Sequence, residues 1–387
     1  MSESMHVTEY LPEHQKGLFS LYSRHFGAWA AARFKKRWEW QCGANNPLRA
    51  LRPISGLVVL HGDQVIGGFV LFPVPWWVNG ERLIFLSGGD FAIDDQFRGA
   101  AFMRLSREIM CRPPAMVNGL HPSLRKLGTR VGAIVLPLSR IRYSLHLRKR
   151  GWLARAIRAR LPAFVGRLVS PATVGWLLAS RRVEGILRRL AHGNEPPVGT
   201  SLPDTAVESD IRSLARFGSD YDILWKQVRQ KYRMTLDKDA AYLNWRYVDC
   251  PTLREPIVRG LYRDGKLSGI VVAAVCVTLD ERRRPCGING EILELIADDA
   301  SVDETNALLL SACRELDLKR VDAIGASGHD DTVREALRTI GFRADEDSRF
   351  DNLVLFDLPD PKTGRVESVE GIYITAGDGD LLNAFLL

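Results

Sequence analysis

The stretch that decides the fold is residues 81–110, which read ERLIFLSGGDFAIDDQFRGAAFMRLSREIM. It follows Asn79-Gly80, and because this pair between two apolar runs is a strong hairpin signal, Leu83 to Ile93 is predicted to be the second strand of a hairpin. A loop of polar and small residues comes next, and Phe102 to Met110 is predicted to be a helix. The stretch therefore predicts a strand, a loop and a helix in direct succession.

The loop of this stretch predicts an anion-binding site. The first N–H groups of a helix have no partner within the helix, and the helix dipole favours negative charge at the same end. Arg98 adds a positive charge, while Gly99 and Ala101 are small enough for a ligand to approach the backbone. We therefore expect the amides of residues 97 to 102 to form a cradle that suits a pyrophosphate.

The residues on either side of this stretch predict a mixed α+β layer. Gly17 to Trp40 is predicted to be a helix, because its aromatic residues recur mainly at spacings of three and four. A first hairpin is predicted from Gly56 to Phe72, with its turn at His61-Gly62-Asp63. Further strands are expected at Ala115 to Gly119 and at Ala133 to Leu138, with a helix between them. This order predicts a mostly antiparallel, twisted sheet flanked by helices.

The second half of the chain shows the same order of elements. Helix is predicted near Tyr221 to Arg233, a hairpin from Ile257 to Thr278, and a strand from Ile288 to Ala297 followed by a helix. A last strand is predicted at Asn352 to Leu358. The repeated order indicates a duplication. The predicted domains are a first module (1–143), a basic helical connector and linker (144–203), a second module (204–358) and a C-terminal tail (359–387).

Composition and charge exclude several classes of protein. Of the 387 residues, 46% are hydrophobic and 26% are charged, which is typical of globular chains and not of disordered ones. The net charge of +7 comes from the segment between Ser144 and Leu190, where eleven Lys or Arg residues meet only Glu184. A basic segment on a near-neutral chain argues against a protein that coats nucleic acid.

Targeting and metal signals are also missing from the sequence. The six cysteines form no CxxC pair and no zinc-ligand pattern, so no metal site is expected. The first residues have no secretory pattern, and the apolar run from Ala163 to Ala179 is too short and too interrupted to span a bilayer. These features predict reduced thiols and a cytoplasmic protein.

The basic connector has three possible interpretations. Its Arg and Lys residues alternate with apolar ones such as Trp152 and Trp176, which fits a helix lying on the anionic inner face of a membrane. A helical hairpin with its basic face in water fits the same pattern. Nucleic-acid binding is the third interpretation, but because no recognition module accompanies the charge, no specific nucleic acid is expected as a partner.

At its central loop the sequence resembles the Gcn5-related N-acetyltransferase superfamily. Gln96-Phe97-Arg98-Gly99-Ala100-Ala101 fits the acetyl-coenzyme A signature of that family, Q/R-x-x-G-x-G/A, between a strand and a helix. Gly341-Phe342 stands where the family commonly has Gly-Phe after its last helix. The resemblance implies two modules of this fold in tandem, as in some acetyltransferases and in Fem-type aminoacyltransferases.

The resemblance implies a site for acetyl-coenzyme A or another acyl-coenzyme A. A bulge would splay a pair of parallel strands so that the thioester carbonyl meets a backbone N–H of the central strand, supplied by Phe91 to Ile93. The residues expected to bind the cosubstrate are Phe91, Ala92, Ile93, Gln96, Phe97, Arg98, Gly99, Ala100, Ala101, Phe102 and Asn118.

Two residues are candidates for proton transfer. Amine acyl transfer needs a base, because an amine arrives protonated at neutral pH. Asp90 is the candidate base, with a turn or cap residue as the alternative, and Tyr143 is the candidate acid for the leaving thiolate, with an interfacial tyrosine as the alternative. Asn118 either binds the pantetheine amide or closes a strand end.

The second module is expected to bind the acceptor and not coenzyme A. Its loop at Asp298 to Glu304 is acidic and lacks the glycine signature, so its four carboxylates would repel a pyrophosphate. Glu291 and Glu294 are candidates to hold a cationic acceptor, and strand alternation predicts that only one of them faces the cleft. Trp245 and Arg246 are candidates to stack on a sugar or hold an anion, with core packing as the alternative.

The first expectation for function is an acyl-coenzyme A-dependent N-acyltransferase, of the N-acetyltransferase type, that acts on a small amine. An amino sugar for surface polysaccharide is the expected acceptor. Two alternatives stay open: a Fem-like transferase that uses aminoacyl-transfer RNA bound by the basic connector, and a non-catalytic binding protein of the same fold.

Overall fold

The structure is a computed structural model. It describes residues 5–42, 46–51, 55–110, 115–118, 126, 129–130, 134–137, 141–148, 202–203, 210–279, 285–328, 330–344, 352–356, 371–375 and 378. Most of the basic segment and the predicted helix after residue 120 lie outside these residues. The chain forms two compact units, which interleave along the sequence: unit 1 is Met1–Arg140, Arg216–Thr252 and Asp347–Ala384, and unit 2 is Ile141–Ala215, Leu253–Glu346 and Phe385–Leu387. The predicted module boundaries stay predictions.

Unit 1 is built on a mostly antiparallel sheet. Its strands are β1 (Met5–Glu9), β2 (Ser55–His61), β3 (Gln64–Val78), β4 (Glu81–Ile93), β5 (Ala115–Asn118), β6 (Ile134–Pro137), β9 (Met234–Leu236), β15 (Asn352–Phe356) and β16 (Ile372–Tyr373). The main order is β1-β2-β3-β4-β5-β15-β6, while β9 pairs with the far end of β3 and with β16. The turn at Asn79-Gly80 has positive φ at both residues, 50° and 86°, as a tight hairpin turn requires.

Helices cover both faces of this sheet. They are α1 (Gln15–Phe26), α2 (Ala28–Cys42), α3 (Arg98–Met110), α4 (Ser219–Arg229) and α5 (Ala240–Leu243), which a π-helical turn at Asn244–Val248 continues. Leu18 and Tyr22 of α1 pack on Gly68, whereas Phe102 of α3 packs on Phe91 of β4. The sheet therefore lies between α1 and α3.

The helix predicted over Gly17 to Trp40 is two helices. Gly27 has a φ of 89°, and its amide donates to the carbonyl of Ser23 (3.0 Å), which ends α1. This backbone conformation suits glycine, so a single glycine divides the aromatic segment. The helix after β4 also begins four residues earlier than predicted, at Arg98 instead of Phe102.

Unit 2 repeats the plan of unit 1. Its strands are β7 (Ile141–His146), β8 (Asp210–Ser213), β10 (Ile257–Arg263), β11 (Lys266–Leu279), β12 (Pro285–Ala297), β13 (Ala323–Gly328) and β14 (Arg343–Ala344), in the order β14-β7-β13-β12-β11-β10-β8. Helices α6 (Val302–Leu318) and α7 (Asp331–Ile340) pack on one face, around Leu308, Cys313 and Leu337. Gly341 ends α7 with a φ of 101°, and Phe342 is buried behind it.

Each sheet is completed by a strand that lies in the other half of the sequence. β7, which precedes the basic connector, stands between β13 and β14 of unit 2. β15, near the end of the chain, stands between β5 and β6 of unit 1. The strand predicted at Asn352 to Leu358 thus forms, but it belongs to the first sheet and not to the second.

The predicted fold class is confirmed: the chain is α+β, with two mostly antiparallel sheets flanked by helices. The parallel pairs of the two main sheet paths are β4 with β5 and β12 with β13. No helix in the described part of the chain is long and apolar enough to cross a bilayer.

Candidate functional site

The central strand of unit 1 carries a bulge beside the predicted site. Gly68 of β3 pairs with Ala92 and Val70 pairs with Gly89, so Asp90 and Phe91 together oppose the single residue Phe69. Among the described residues, β4 pairs with β5 only through Leu86–Ala115 and Ser87–Met116. The parallel strands therefore diverge just before the bulge, as the resemblance predicted.

The hydrogen-bond pattern of β4 shows in which direction the amides that were expected to meet the thioester point. The Asp94 amide donates to the carbonyl of Ile66 on β3 (2.8 Å). Because N–H directions alternate along a strand, the Ala92 amide also points to β3, while the Ile93 amide points away from it. Ile93 is thus the residue past the bulge whose N–H is directed to the side where β4 and β5 diverge.

The loop after β4 uses two of its amides internally. The Gln96 amide donates to the Asp94 carboxylate (3.3 Å), and the Phe97 amide donates to the Asp94 carbonyl (3.0 Å). The predicted cradle at 97 to 102 is therefore wrong for Phe97. Arg98, Gly99 and Ala100 form the first turn of α3, where an α-helix leaves its N–H groups without a helical partner.

The first turn of α3 is open on its outer side. Arg98, Gly99 and Ala100 are exposed, and a Cβ atom placed on Gly99 would meet nothing within 4 Å. Arg98 forms an ion pair with Asp95, in which both side chains are at least half exposed. Such a pair contributes little to stability, so the Arg98 guanidinium is available to an anionic ligand.

The next residues of α3 hold the helix in place. Ala101 and Phe102 are buried, and the Phe102 ring lies 5.7 Å from the Phe91 ring of the bulge. Phe97 packs against the same apolar cluster, with its ring 4.9 Å from that of His61. These side chains join loop, helix and bulge into one arrangement, and they fix the position of the exposed turn.

Two other predicted residues lie on strands next to this site, and one lies elsewhere. Asp90 is in the bulge, and Asn118 ends β5, where it pairs with Leu353 of β15. Tyr143 lies on β7 in unit 2, with no exposed surface and no hydrogen-bond partner for its hydroxyl. Its place in the apolar core of unit 2 is that of a packing residue.

Unit 2 has the same bulge and the same loop length. Leu293 of β12 is the extra residue, since Val272 pairs with Glu294 and Ala273 with Ile292. The Asp298 amide donates to Ser268 of β11 (2.9 Å), as the Asp94 amide does to Ile66. Val302, the first residue of α6, lies four positions after Asp298, just as Arg98 lies four positions after Asp94.

The end of this second loop is occupied by its own carboxylate. Glu304 accepts hydrogen bonds from the amide of Ser301 (2.9 Å) and from its hydroxyl (3.0 Å), and the Ser301 hydroxyl accepts from the Glu304 amide (3.2 Å). Arg263 donates to both oxygens of Glu304, at 2.5 and 2.9 Å. This capping box fills the N-terminus of α6 with an internal anion.

The charge of Glu304 is supported by these neighbours. Burial alone would raise the pKa of its carboxyl, but the hydrogen bonds from Arg263 and Ser301 hold the pKa below its usual value. Sequence reasoning missed Arg263, which lies 41 residues away on β10. The capping box itself was visible as Ser301-x-x-Glu304 before an apolar run.

Contrary to the prediction, Glu291 and Glu294 of β12 do not point to opposite faces of the sheet. Glu291 pairs across the sheet with Ala274 and Glu294 with Val272, and these two residues lie on one face of β11. The expectation that Glu291 and Glu294 point to opposite faces is therefore wrong, because the extra residue Leu293 interrupts the alternation. Both glutamates are buried.

Glu291 is held by an arginine. Both of its oxygens accept from Arg142 of β7, at 2.7 Å each, and the pair lies over Gly325, where a Cβ would clash with both side chains. Burial and the Glu291 carboxylate raise the pKa of the Cys276 thiol. The sequence analysis did not identify Arg142 as a partner of Glu291. Arg142 lies on β7, which precedes the basic connector in the sequence but pairs with β13 and β14 of unit 2.

Trp245 and Arg246, which were expected to bind the acceptor, belong to unit 1. They lie in the π-helical turn and are buried. The Trp245 ring stacks on Trp40 of α2 at 4.4 Å with an interplanar angle of 17°. Within the described residues, no group of three or more His, Cys, Asp or Glu side chains could hold a metal ion.

Comparison with known proteins identifies the fold. No protein-family model matches the sequence, and no curated protein matches it. The structure is similar to N-myristoyltransferase of Saccharomyces cerevisiae with bound myristoyl-CoA, with a TM-score of 0.56 and 14% identity over 92% of this chain and 79% of that one. It is also similar to a GCN5-related N-acetyltransferase from Anabaena variabilis, with a TM-score of 0.53 and 11% identity over 91% and 72% of the two chains.

These likenesses and the two bulged sheets agree with each other. The chain has the fold of the Gcn5-related N-acetyltransferase superfamily in a tandem form, as the resemblance of its sequence predicted.

Proposed function

We propose that the chain is an acyl-coenzyme A-dependent N-acyltransferase whose cosubstrate binds to unit 1. The observation that carries the proposal is the succession of three features in that unit: the bulge at Asp90-Phe91, the divergence of β4 from β5, and the exposed first turn of α3. Only the third of these differs in unit 2, where Glu304 takes the place of an external anion.

The residues present fit the diphosphate of an acyl-coenzyme A. The exposed first turn of α3, at Arg98 to Ala100, and the Arg98 guanidinium supply donors and positive charge at one point. The open space above Gly99 lets phosphate oxygens approach the backbone. A similar chain was solved with myristoyl-CoA bound, which supports an acyl-coenzyme A without indicating the length of the acyl chain.

The chemistry of the transfer follows from the direction of the strands. The acceptor nitrogen, after losing one proton, attacks the thioester carbonyl and a C–N bond forms. As the C–S bond breaks, the nitrogen gives up a second proton to become an amide, and the coenzyme A thiolate leaves and takes up that proton. The Ile93 N–H would stabilise the developing oxyanion, an interaction worth about 3 kcal/mol in comparable sites. Asp90, at the bulge, remains the candidate to accept the amine proton.

The acceptor is a small amine, and an amino sugar for surface polysaccharide is the acceptor we favour. An acetyl group is the acyl group to test first, because the loop fits the acetyl-coenzyme A signature of the family at Gln96 to Ala101.

Binding and transfer test this function together. We expect acetyl-coenzyme A to raise the unfolding temperature of the full chain and to be consumed in the presence of an amine panel. Arg98→Glu should weaken binding about 100-fold, because it removes a charge-assisted hydrogen bond and adds a repelling carboxylate. Arg104→Glu makes the same charge change at another exposed position of α3 and should leave binding unchanged.

Two results would contradict the proposal. One is an unfolding temperature that acetyl-coenzyme A does not change. The other is a shift that Arg98→Glu leaves at the value of the wild type, since the ligand would then bind elsewhere.

A further inference from the structure

Buried polar atoms without partners collect at the end of α2 and in the π-helical turn of unit 1. The Gln41 side chain is 1% exposed, and neither its amide nitrogen nor its oxygen has a hydrogen-bond partner. The indole nitrogens of Trp40 and Trp245 are also buried and unpartnered. Because each such group costs about 1–3 kcal/mol when it stays unsatisfied, their grouping points to a ligand that supplies the missing partners.

Ring stacking brings the two tryptophans together at the end of α2. The Trp40 and Trp245 rings stack at 4.4 Å, and Gln41 follows Trp40 on the helix. Arg33, two turns before Trp40, donates to the carbonyl of Thr252, which fixes α2 to the segment that carries the turn. Trp245 itself lies in a π-helical turn, a conformation that is rare and frequent at functional sites.

The unsatisfied atoms define the chemistry of the missing partner. The two indoles and the Gln41 amide nitrogen are donors, whereas the Gln41 oxygen is an acceptor. A carboxylate or phosphate only accepts hydrogen bonds and would leave that oxygen without a donor. Hydroxyl groups both donate and accept, so a compound with several hydroxyls satisfies the whole set.

The place of α2 in unit 1 assigns this ligand to the acceptor side of the reaction. The Phe34 ring of α2 lies 4.9 Å from Tyr22 of α1, and Tyr22 covers Gly68, which pairs with Ala92 beside the bulge. This face of the sheet is opposite to the face that α3 covers. The acyl-coenzyme A would be held on the α3 side. A compound bound at α2 is therefore on the other side of the central strand from the cosubstrate.

We propose that Trp40, Gln41 and Trp245 form a recognition site for the hydroxyl groups of a polyhydroxylated amine, the acceptor of the transfer. This proposal rests on the proposed function. It goes beyond it by naming the residues and the feature of the acceptor that they recognise.

Matched ring amines and conservative variants test this proposal. We expect the wild type to acylate glucosamine with a kcat/KM about 100-fold above that for cyclohexylamine, which has the ring and the amine but no hydroxyls. Gln41→Met and Trp245→Phe should each lower kcat/KM for glucosamine about tenfold through KM. Both variants should keep the affinity for acetyl-coenzyme A, and Gln41→Met, which replaces an unsatisfied amide by an apolar group of similar volume, should unfold at the same or a higher temperature.

Trp76→Phe is the matched control. Trp76 of β3 also has a buried indole nitrogen without a partner, but it lies outside the cluster and packs on Phe85. We expect this variant to keep the kcat/KM of the wild type for glucosamine.

Three results would overturn the proposal while acetyl-coenzyme A still binds. They are no transfer to glucosamine, transfer to cyclohexylamine or glycinamide as fast as to glucosamine, and unchanged kcat/KM for glucosamine in Gln41→Met and Trp245→Phe. A wild type that does not bind acetyl-coenzyme A contradicts the proposed function instead, so the two failures are distinguishable.

Discussion

The loops that follow the two central strands have the same length and opposite chemistry. In unit 1 the helix begins with Arg98, Gly99 and Ala100, which are exposed, and Arg98 adds a positive charge. In unit 2 the corresponding turn contains Glu304, which satisfies Ser301 and pairs with Arg263. A duplicated framework thus keeps its bulge and strand order, while a few residues decide whether the helix N-terminus is open to an external anion.

The largest expected effect comes from breaking the strand exchange that completes unit 1. Leu353→Pro removes the backbone N–H of a residue that pairs with Asn118 on one side and Leu136 on the other. A proline inside a central strand costs about 3 kcal/mol or more, so we expect unit 1 to unfold first and acetyl-coenzyme A binding to be lost. Chemical denaturation followed by circular dichroism measures the loss.

Ser144→Pro is the reciprocal change in β7 of unit 2, where Ser144 pairs with Gly325 and Arg343. It should destabilise unit 2 to a similar extent. If neither proline variant is less stable than the wild type, the exchange of β7 and β15 between the sheets is not present.

Gly99→Ala is expected to have two smaller effects of opposite sign, one on stability and one on affinity for acetyl-coenzyme A. The added methyl meets no protein atom within 4 Å, and alanine favours a helix over glycine by about 0.5–1 kcal/mol, so stability should rise slightly. The same methyl occupies the space through which phosphate oxygens reach the backbone, so affinity for acetyl-coenzyme A should fall about tenfold. Calorimetry measures both quantities, and an unchanged affinity would place the diphosphate away from this turn.

The smallest expected effect is the change in stability that Glu304→Gln causes in unit 2. Because the folded-state pKa of Glu304 is lowered, its contribution to stability is present above the ordinary value of 4.5 and is lost as the pH falls through the lower folded value. Glu304→Gln should therefore be less stable than the wild type at pH 7, by under about 1 kcal/mol for a partly exposed pair, and the difference should shrink in acid. Unfolding temperatures measured from neutral into acidic pH reveal it, and a difference that does not depend on pH would exclude this role for the carboxylate.

The sequence predicted the local elements well and the long-range pairings poorly. The Asn79-Gly80 hairpin, the strand before the loop and the helix after it all form, because turn chemistry and periodicity are local properties. The exchange of β7 and β15 left no local signal, since a strand of five or six residues has the same pattern in either sheet. The residues that depend on it, such as Arg142, were missed for the same reason.

In the candidate site, too, local features were predicted from the sequence and the details of hydrogen bonding and strand pairing were not. Exposure of Arg98 and Gly99 could be anticipated from their place at a helix start, whereas the internal bonding of Gln96 and Phe97 to Asp94 could not. The alternation rule failed for Glu291 and Glu294 because a bulge of one residue cannot be located from strand periodicity alone.

Titration calorimetry of acetyl-coenzyme A into the full chain tests the central contrast most directly. The open turn of unit 1 and the self-capped turn of unit 2 together predict one bound molecule per chain, and they predict that Arg98→Glu weakens its binding about 100-fold. Two molecules per chain, or one that binds Arg98→Glu as tightly as the wild type, would contradict the assignment of the cosubstrate to unit 1.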